Sequence, residues 1–278
     1  MDDNKVSALP TIVALRNFLE ERIAQFSRPE FFSEDPIGIP KLFQRKEDIE
    51  IAGFLTALIS WGTRKSILVS AHKLLDIMGY EPYRFILECR PDERKKALGF
   101  VHRTLRGEDL LFLLEALAMI YTQYGSLEAV FHKHLSRKGH VLDAISGVRE
   151  EILLVPHLPR SRKHLANPAA GSHAKRILMF LRWMVRQDPY GIDFGLWRSI
   201  SPDQLFCPLD VHSGRAARAL GLLSRPQNDR RAVEELTSRL RCLCPTDPVR
   251  YDIALFHLGR PENSVLLAHA PLFPAADV

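Results

Sequence analysis

Lys175 and Asp210 are the two side chains whose types and settings could do covalent chemistry. Asp210 follows a proline-stiffened approach, Pro208-Leu209, and precedes a short run with Val211, Ala217 and Leu220, the setting of a helix N-cap. Gly221 suits the left-handed residue that closes such a helix. Lys175 falls in the first turn of a helix predicted over 173–186, with Ser172 as its cap. There the positive end of the helix dipole and the neighbouring Arg176 both favour a neutral amine, which is a nucleophile. Taken singly, each residue has a plain account: a capping aspartate, and a solvated lysine on a basic helix. Together they are an amine and a carboxylate carried by segments 35 residues apart.

The charge around them is distributed unevenly. Residues 160–260 hold 17 Lys and Arg against 9 Asp and Glu, a net of +8 in a chain whose total is +5. The stretch 160–187 has seven basic residues and no acid. Arg162 and Lys163 lie in a basic loop that turns through Asn167-Pro168-Ala169-Ala170-Gly171, and Lys175, Arg182 and Arg186 recur at helical spacing. Arg215 and Arg218 share a face of the helix after Asp210. A localised basic field suits a polyanionic partner; a solvated basic face is the competing account.

Helical periodicity dominates the elements that must position these groups. Apolar residues recur every three to four positions over 11–26, 47–60, 65–78, 108–124, 127–135, 141–154 and 173–186. No stretch shows sustained β-branched alternation, so the chain is expected to be all-α. Its 278 residues suffice for a large domain or two helical lobes, and its composition is that of an ordinary soluble protein. No apolar run approaches twenty residues and Met1-Asp2-Asp3-Asn4-Lys5 is no signal peptide, so a cytoplasmic, nucleoid-associated location is expected, with no membrane partner. Cys89, Cys207, Cys242 and Cys244 form no disulfide framework, and Cys242 with Cys244 reads as two thiols at a helix end. His132 and His134 have no third ligand at a supporting spacing, so no metal is expected.

From Ser172 onward the sequence resembles the helix-hairpin-helix DNA glycosylase superfamily, of the endonuclease III and archaeal 8-oxoguanine glycosylase type. The block from Leu209-Asp210-Val211-His212-Ser213-Gly214-Arg215 to Leu220-Gly221-Leu222 is similar to that superfamily's (V/P)-D-x-H-x-x-R-x-x-x-x-x-G, and Asn167 to Lys175 looks like an irregular hairpin leading to its lysine. Over nearly its full length the chain is also similar to a bacterial family known as domain of unknown function 2400. Lys175 to Arg186, Pro208 to Gly214, Asp247-Pro248-Val249-Arg250-Tyr251-Asp252 and Phe256 carry that second resemblance.

The glycosylase resemblance implies a two-lobed helical bundle. Residues 1–45 would pack with the C-terminal lobe, 46–186 would form the central lobe, 187–262 would carry the Asp210 block, and 263–278 would be a flexible tail. It implies a DNA-repair N-glycosylase with AP lyase activity on damaged or abasic duplex DNA, needing no cofactor. Lys175 would attack the anomeric carbon, and Asp210 would stabilise the developing cation and accept a proton. Trp61, Gly62, Thr63 and Arg64 would line the pocket for a flipped base. Arg162, Lys163, Gly171, Ser172, Arg182, Arg186, His212, Arg215 and Arg218 would contact phosphates or the backbone. The four-cysteine spacing of an iron–sulfur cluster is missing, so no cluster is expected. A non-catalytic nucleic-acid-binding protein on the same fold needs the arginines but neither Lys175 nor Asp210, and an all-α interaction module needs none of them.

Overall fold

The computed structural model describes residues 3–28 and 34–274. The elements are helical: α1 (Asp3–Phe26), α2 (Lys46–Ile59), α3 (Arg64–Ile77), α4 (Pro82–Glu88), α5 (Gly107–Tyr124), α6 (Leu127–Lys138), α7 (Val141–Ile152), α8 (Lys175–Val185), α9 (Val211–Ala219), α10 (Arg230–Leu243), α11 (Asp252–Leu258) and α12 (Ser264–Ala268), joined by shorter helical turns. Among the described residues the strand content is one two-residue antiparallel ladder, Val101–His102 with Leu105–Arg106. The caps follow from residue type. Thr63 accepts from the Ser66 amide at 3.3 Å to start α3, Ser126 from Ala129 at 3.0 Å to start α6, and Asp229 from Ala232 at 3.0 Å to start α10. Gly125 and Gly139 end α5 and α6 at φ of 79° and 72°.

Helix α2 is the hub. Every residue from Ile49 to Ile59 is buried, and α3, α4 and α8 pack around it. Phe180 of α8 meets Phe54 edge-on at 5.5 Å and Trp197 at 5.4 Å, and Phe131 of α6 joins them. Helices α6 and α7 pair, as do α9 and α11. Helix α1 buries Leu15, Leu19, Ile23 and Phe26 and lies against α10 and α11. Arg250 reaches Glu20 at 2.8 Å, and Phe26 stacks on His257 at 4.7 Å.

A single fully buried carboxylate ties the hub to its surroundings. Glu50 accepts from the Tyr121 hydroxyl at 2.7 Å, the Leu127 amide at 3.0 Å and the Trp197 indole at 2.8 Å. These donors belong to α5, the start of α6 and the segment after α8. Burial pushes the Glu50 carboxyl up from its ordinary value, against the pull of those donors and of Lys46.

Several expectations need correction. Helix α8 begins at Lys175, not at 173, because Ala174 takes a left-handed conformation (φ 47°, ψ 30°). Ser172 therefore bonds the Ala174 amide at 3.2 Å instead of capping the helix. The region from 263 is not a free tail: Ser264–Ala268 is helical, and the Phe273 amide donates to the Leu220 carbonyl at 2.7 Å with its ring buried. Residues 275–278 lie outside the described residues. Helix α10 is one that the apolar spacing passes over. Among the described residues no single helix is long and apolar enough to cross a membrane.

Burial generates two expectations about stability. Glu50→Ala leaves an indole and a hydroxyl without an acceptor in the core and should cost on the order of 3 kcal/mol in denaturant unfolding. A loss below about 1 kcal/mol would remove Glu50 from this role. The second concerns histidine. His102, His140, His164, His173 and His257 are all lowered, burial being the first cause in each, and His257 falls to about 4. A depressed folded-state value means that the unfolded chain binds the proton first. His257 therefore costs the fold stability progressively as pH falls from about 6.5 towards 4, up to about 3 kcal/mol. The melting temperature should fall from pH 7 to pH 5, and His257→Asn should shrink that fall; equal falls in both proteins would exclude the histidine.

Candidate active site

Asp210 is the N-cap of α9, held in an extended conformation after buried Pro208 and Leu209. Its two oxygens have different duties. Oδ1 accepts from the His212 and Ser213 amides at 2.8 and 2.9 Å, and the Ser213 hydroxyl closes a capping box by accepting from the Asp210 amide at 2.8 Å. Oδ2 faces Lys175 Nζ at 3.4 Å. The lysine is the first residue of α8, presented by the left-handed Ala174 immediately before it. Both side chains are about three-quarters covered, at 27% and 22% exposure.

The close packing of α9 on α11 fixes this register. A Cβ on Gly259 would lie 1.8 Å from the His212 carbonyl oxygen, so only glycine admits the contact. Arg215 donates to the Gly259 carbonyl at 3.0 Å, and His212 stands edge-on to Phe256 at 5.5 Å. Arg218 is spent on the following loop, through the Arg225 and Pro226 carbonyls and Asn228.

Lys175 and Asp210 open onto a cavity of about 430 Å³ between the starts of α3, α8, α9 and α11. Its walls include Asp35, Arg64, Ile67, Met179, Arg182, Asp252, Phe256 and His257. Asp35 meets Arg64 at 3.5 Å. Below the lysine, a chain of alternating charges runs inward. Asp252 meets Arg182 at 2.5 Å, Arg182 meets Asp193 at 3.2 Å, Asp193 meets Arg186 at 2.5 Å, and Arg186 is gripped by both oxygens of Asp247 at 2.8 and 3.1 Å. Burial pushes the Asp193 and Asp252 carboxyls up, and the arginines pull them back. Burial also opposes the charge on Arg182, yet Asp193 and Asp252 outweigh it and its value is raised.

Of the residues expected from sequence, Lys175, Asp210, Gly62, Arg64 and His212 meet at this cavity. Trp61 and Thr63 do not. The Trp61 ring packs edge-on to His102 at 5.9 Å and beneath Arg103 at 5.0 Å, while Thr63 caps α3. Arg182 and Arg186 are the firmest correction. They are 7% and 5% exposed and bound to buried carboxylates, so they hold the protein together and reach no phosphate. Arg162, Lys163 and Gly171 are exposed, with Ser172 beside them. The +8 field is also weaker than its count, because Arg160, Arg230 and Arg250 pair with acids outside that region, Glu108, Asp143 and Glu20.

Asp35, Asp193, Asp252 and His257 went unassigned at the sequence level. One signal was present: two arginines at i, i+4 on a helix whose neighbours are all apolar need acids from elsewhere. Among the described residues no group of three or more His, Cys, Asp or Glu side chains is placed to hold a metal ion.

Comparison with curated proteins and with solved structures returns no match. One family model does match, over residues 35–260, which include Lys175, Asp210 and the whole charge chain. That match covers most of the chain, and the protein belongs to the family described as a protein of unknown function, DUF2400.

Proposed function

We propose that the protein is a DNA-repair N-glycosylase with associated AP lyase activity, acting on damaged or abasic duplex DNA through a Schiff base on Lys175. The observation that carries this reading is the approach of Lys175 Nζ to Asp210 Oδ2, 3.4 Å apart at the mouth of a cavity of about 430 Å³. That volume accommodates a nucleotide turned out of the duplex. The resemblance of the Asp210 block to the helix-hairpin-helix glycosylases gives the chemistry.

In the resting pair the ammonium faces the carboxylate. Transfer of its proton to Asp210 Oδ2 frees the amine, whose lone pair attacks C1′ as the C1′–N bond breaks and the base departs with that electron pair. Asp210 Oδ2 passes that proton to the departing base and, a carboxylate again, can stabilise the cationic sugar, since Oδ1 is held at the helix start and Oδ2 is left to the cavity. The nitrogen then loses a proton and its lone pair forms the C1′=N bond as the C1′–O4′ bond breaks, O4′ takes up a proton, and the product is the iminium. Asp210 then takes a C2′ proton, the C3′–O bond breaks with its electrons leaving on the 3′ phosphate, and addition of water at C1′ hydrolyses the imine and releases the lysine. Exposed Arg162 and Lys163, with Gly171 and Ser172, are the phosphate-facing groups in this account.

Lys175→Ala should abolish borohydride-trapped adducts on abasic duplexes while leaving DNA affinity roughly intact. Asp210→Asn should slow base removal by a larger factor than it weakens binding. A wild type that traps on no abasic or damaged duplex, yet binds DNA, is a non-catalytic nucleic-acid-binding protein. Replacing Arg162 and Lys163 together should reduce the dependence of log K on log salt by about one unit for each phosphate that is no longer neutralised. An unchanged slope would move the DNA elsewhere.

A further inference from the structure

The ion pairs of the cavity wall have a consequence beyond the Lys175 chemistry and the fold they support. Three separate ion pairs border the same space: Asp35 with Arg64 at 3.5 Å, Lys175 with Asp210 at 3.4 Å, and Arg182 with Asp252 at 2.5 Å. Each carboxylate already has its own cation, and each cation its own carboxylate. An incoming anion would have to displace a carboxylate from its cation, and an incoming cation would have to displace an ammonium or guanidinium. Both exchanges sacrifice a partly buried pair. A neutral ring with alternating N–H and C=O or ring-nitrogen groups needs no exchange. An ion pair seen edge-on offers it a donor and an acceptor side by side. A fourth cation on the wall, Arg260, is likewise paired, with Glu262 at 2.6 Å. Between the charged groups the wall mixes Ser60, His212 and His257 with Ile67, Met179 and Phe256, and these last three are available to cover the faces of a planar ligand.

We infer that this cavity selects an uncharged, nucleobase-sized heterocycle over cationic or anionic rings, and that Asp252 is the specificity-determining acceptor at its inner end. The inference rests on the reading that the cavity receives a flipped nucleotide, and it narrows that nucleotide to one with a neutral base. Asp252 suits the role because its position is fixed twice. It opens α11, and its Oδ2 is held by Arg182, which is clamped in turn by Asp193. Asp252 is 7% exposed and faces the cavity, so a ligand group bonded there is shielded from water.

The test is calorimetric titration of the whole protein with four small rings: adenine and uracil as neutral probes, 1-methylnicotinamide as the cation and orotate as the anion. The wild type should bind at least one neutral base, with an affinity that does not change between low and high salt, and should bind neither charged ring detectably. Asp252→Asn keeps an oxygen for Arg182 but removes the charge. It should weaken neutral-base binding about tenfold, the worth of one charge-assisted hydrogen bond, and should admit orotate. Arg64→Gln, at a half-exposed pair that can lose its partner without burying a lone charge, should weaken the neutral base and admit 1-methylnicotinamide. It decides the matter if the Asp252 variant does not fold by circular dichroism. Preference for a charged ring, no binding of either base, or neutral-base affinity unchanged in both variants overturns the inference. Borohydride trapping by the wild type is read separately. Base selectivity without trapping keeps the inference and removes the lyase chemistry, while trapping without selectivity does the reverse.

Discussion

The buried sequence of charges Asp252, Arg182, Asp193, Arg186 and Asp247 is the constraint on which the rest of the site depends. A charge withdrawn from water must be matched, and removing one member of such a chain typically costs about 3–5 kcal/mol because its neighbour is left alone. Here Arg182 lies on α8 and Arg186 is the residue that ends it, while the acids come from the loop after it and from the approach to and start of α11. Satisfying the chain therefore fixes the rotation of α8 about its own axis. That rotation decides where Lys175, seven residues before Arg182, points. Hydrophobic burial alone would hold α8 against α2 through Phe180 and Phe54 but would tolerate a sliding or rolling helix more readily.

Placement of the carboxylate follows from a different economy. Asp210 does the ordinary work of an N-cap with one oxygen and leaves the other to the cavity. A cap is among the best-determined side-chain positions that a helix offers, since two backbone amides and the Ser213 hydroxyl fix it. The close contact at Gly259 packs that helix tightly on α11, the helix that Asp252 opens, and both aspartates line the cavity. Preorganised groups of this kind need little rearrangement as charge develops on a substrate.

Much of this was legible in the sequence. Helices α2, α3 and α5 to α8 declare themselves through apolar spacing because each buries a stripe or more, whereas the seven-residue α4 is too short to show one, and Lys175 and Asp210 are visible as a helix start and a cap. Arg182 and Arg186 mislead for a physical reason: a guanidinium at helical spacing has the same appearance whether its counter-charge is a phosphate or a carboxylate 7 to 70 residues away. Trp61 misleads because Gly62, at φ 112°, reverses the chain immediately after it, and the indole packs on His102 while the glycine and Arg64 take the cavity side. The last segment looks like a tail because its Ala and Pro content carries no periodicity. Leu266, Leu267 and Ala270 nevertheless pack against the core, and Phe273 adds one amide and one ring.

The most direct measurement is the location of the covalent bond. Wild-type protein is incubated with an abasic duplex and borohydride, the adduct is digested, and the peptide that carries the added sugar mass is sequenced by mass spectrometry. The account predicts that the mass resides on the side chain of Lys175. An adduct on any other lysine or on the N-terminal amine, or no adduct at all, would contradict it.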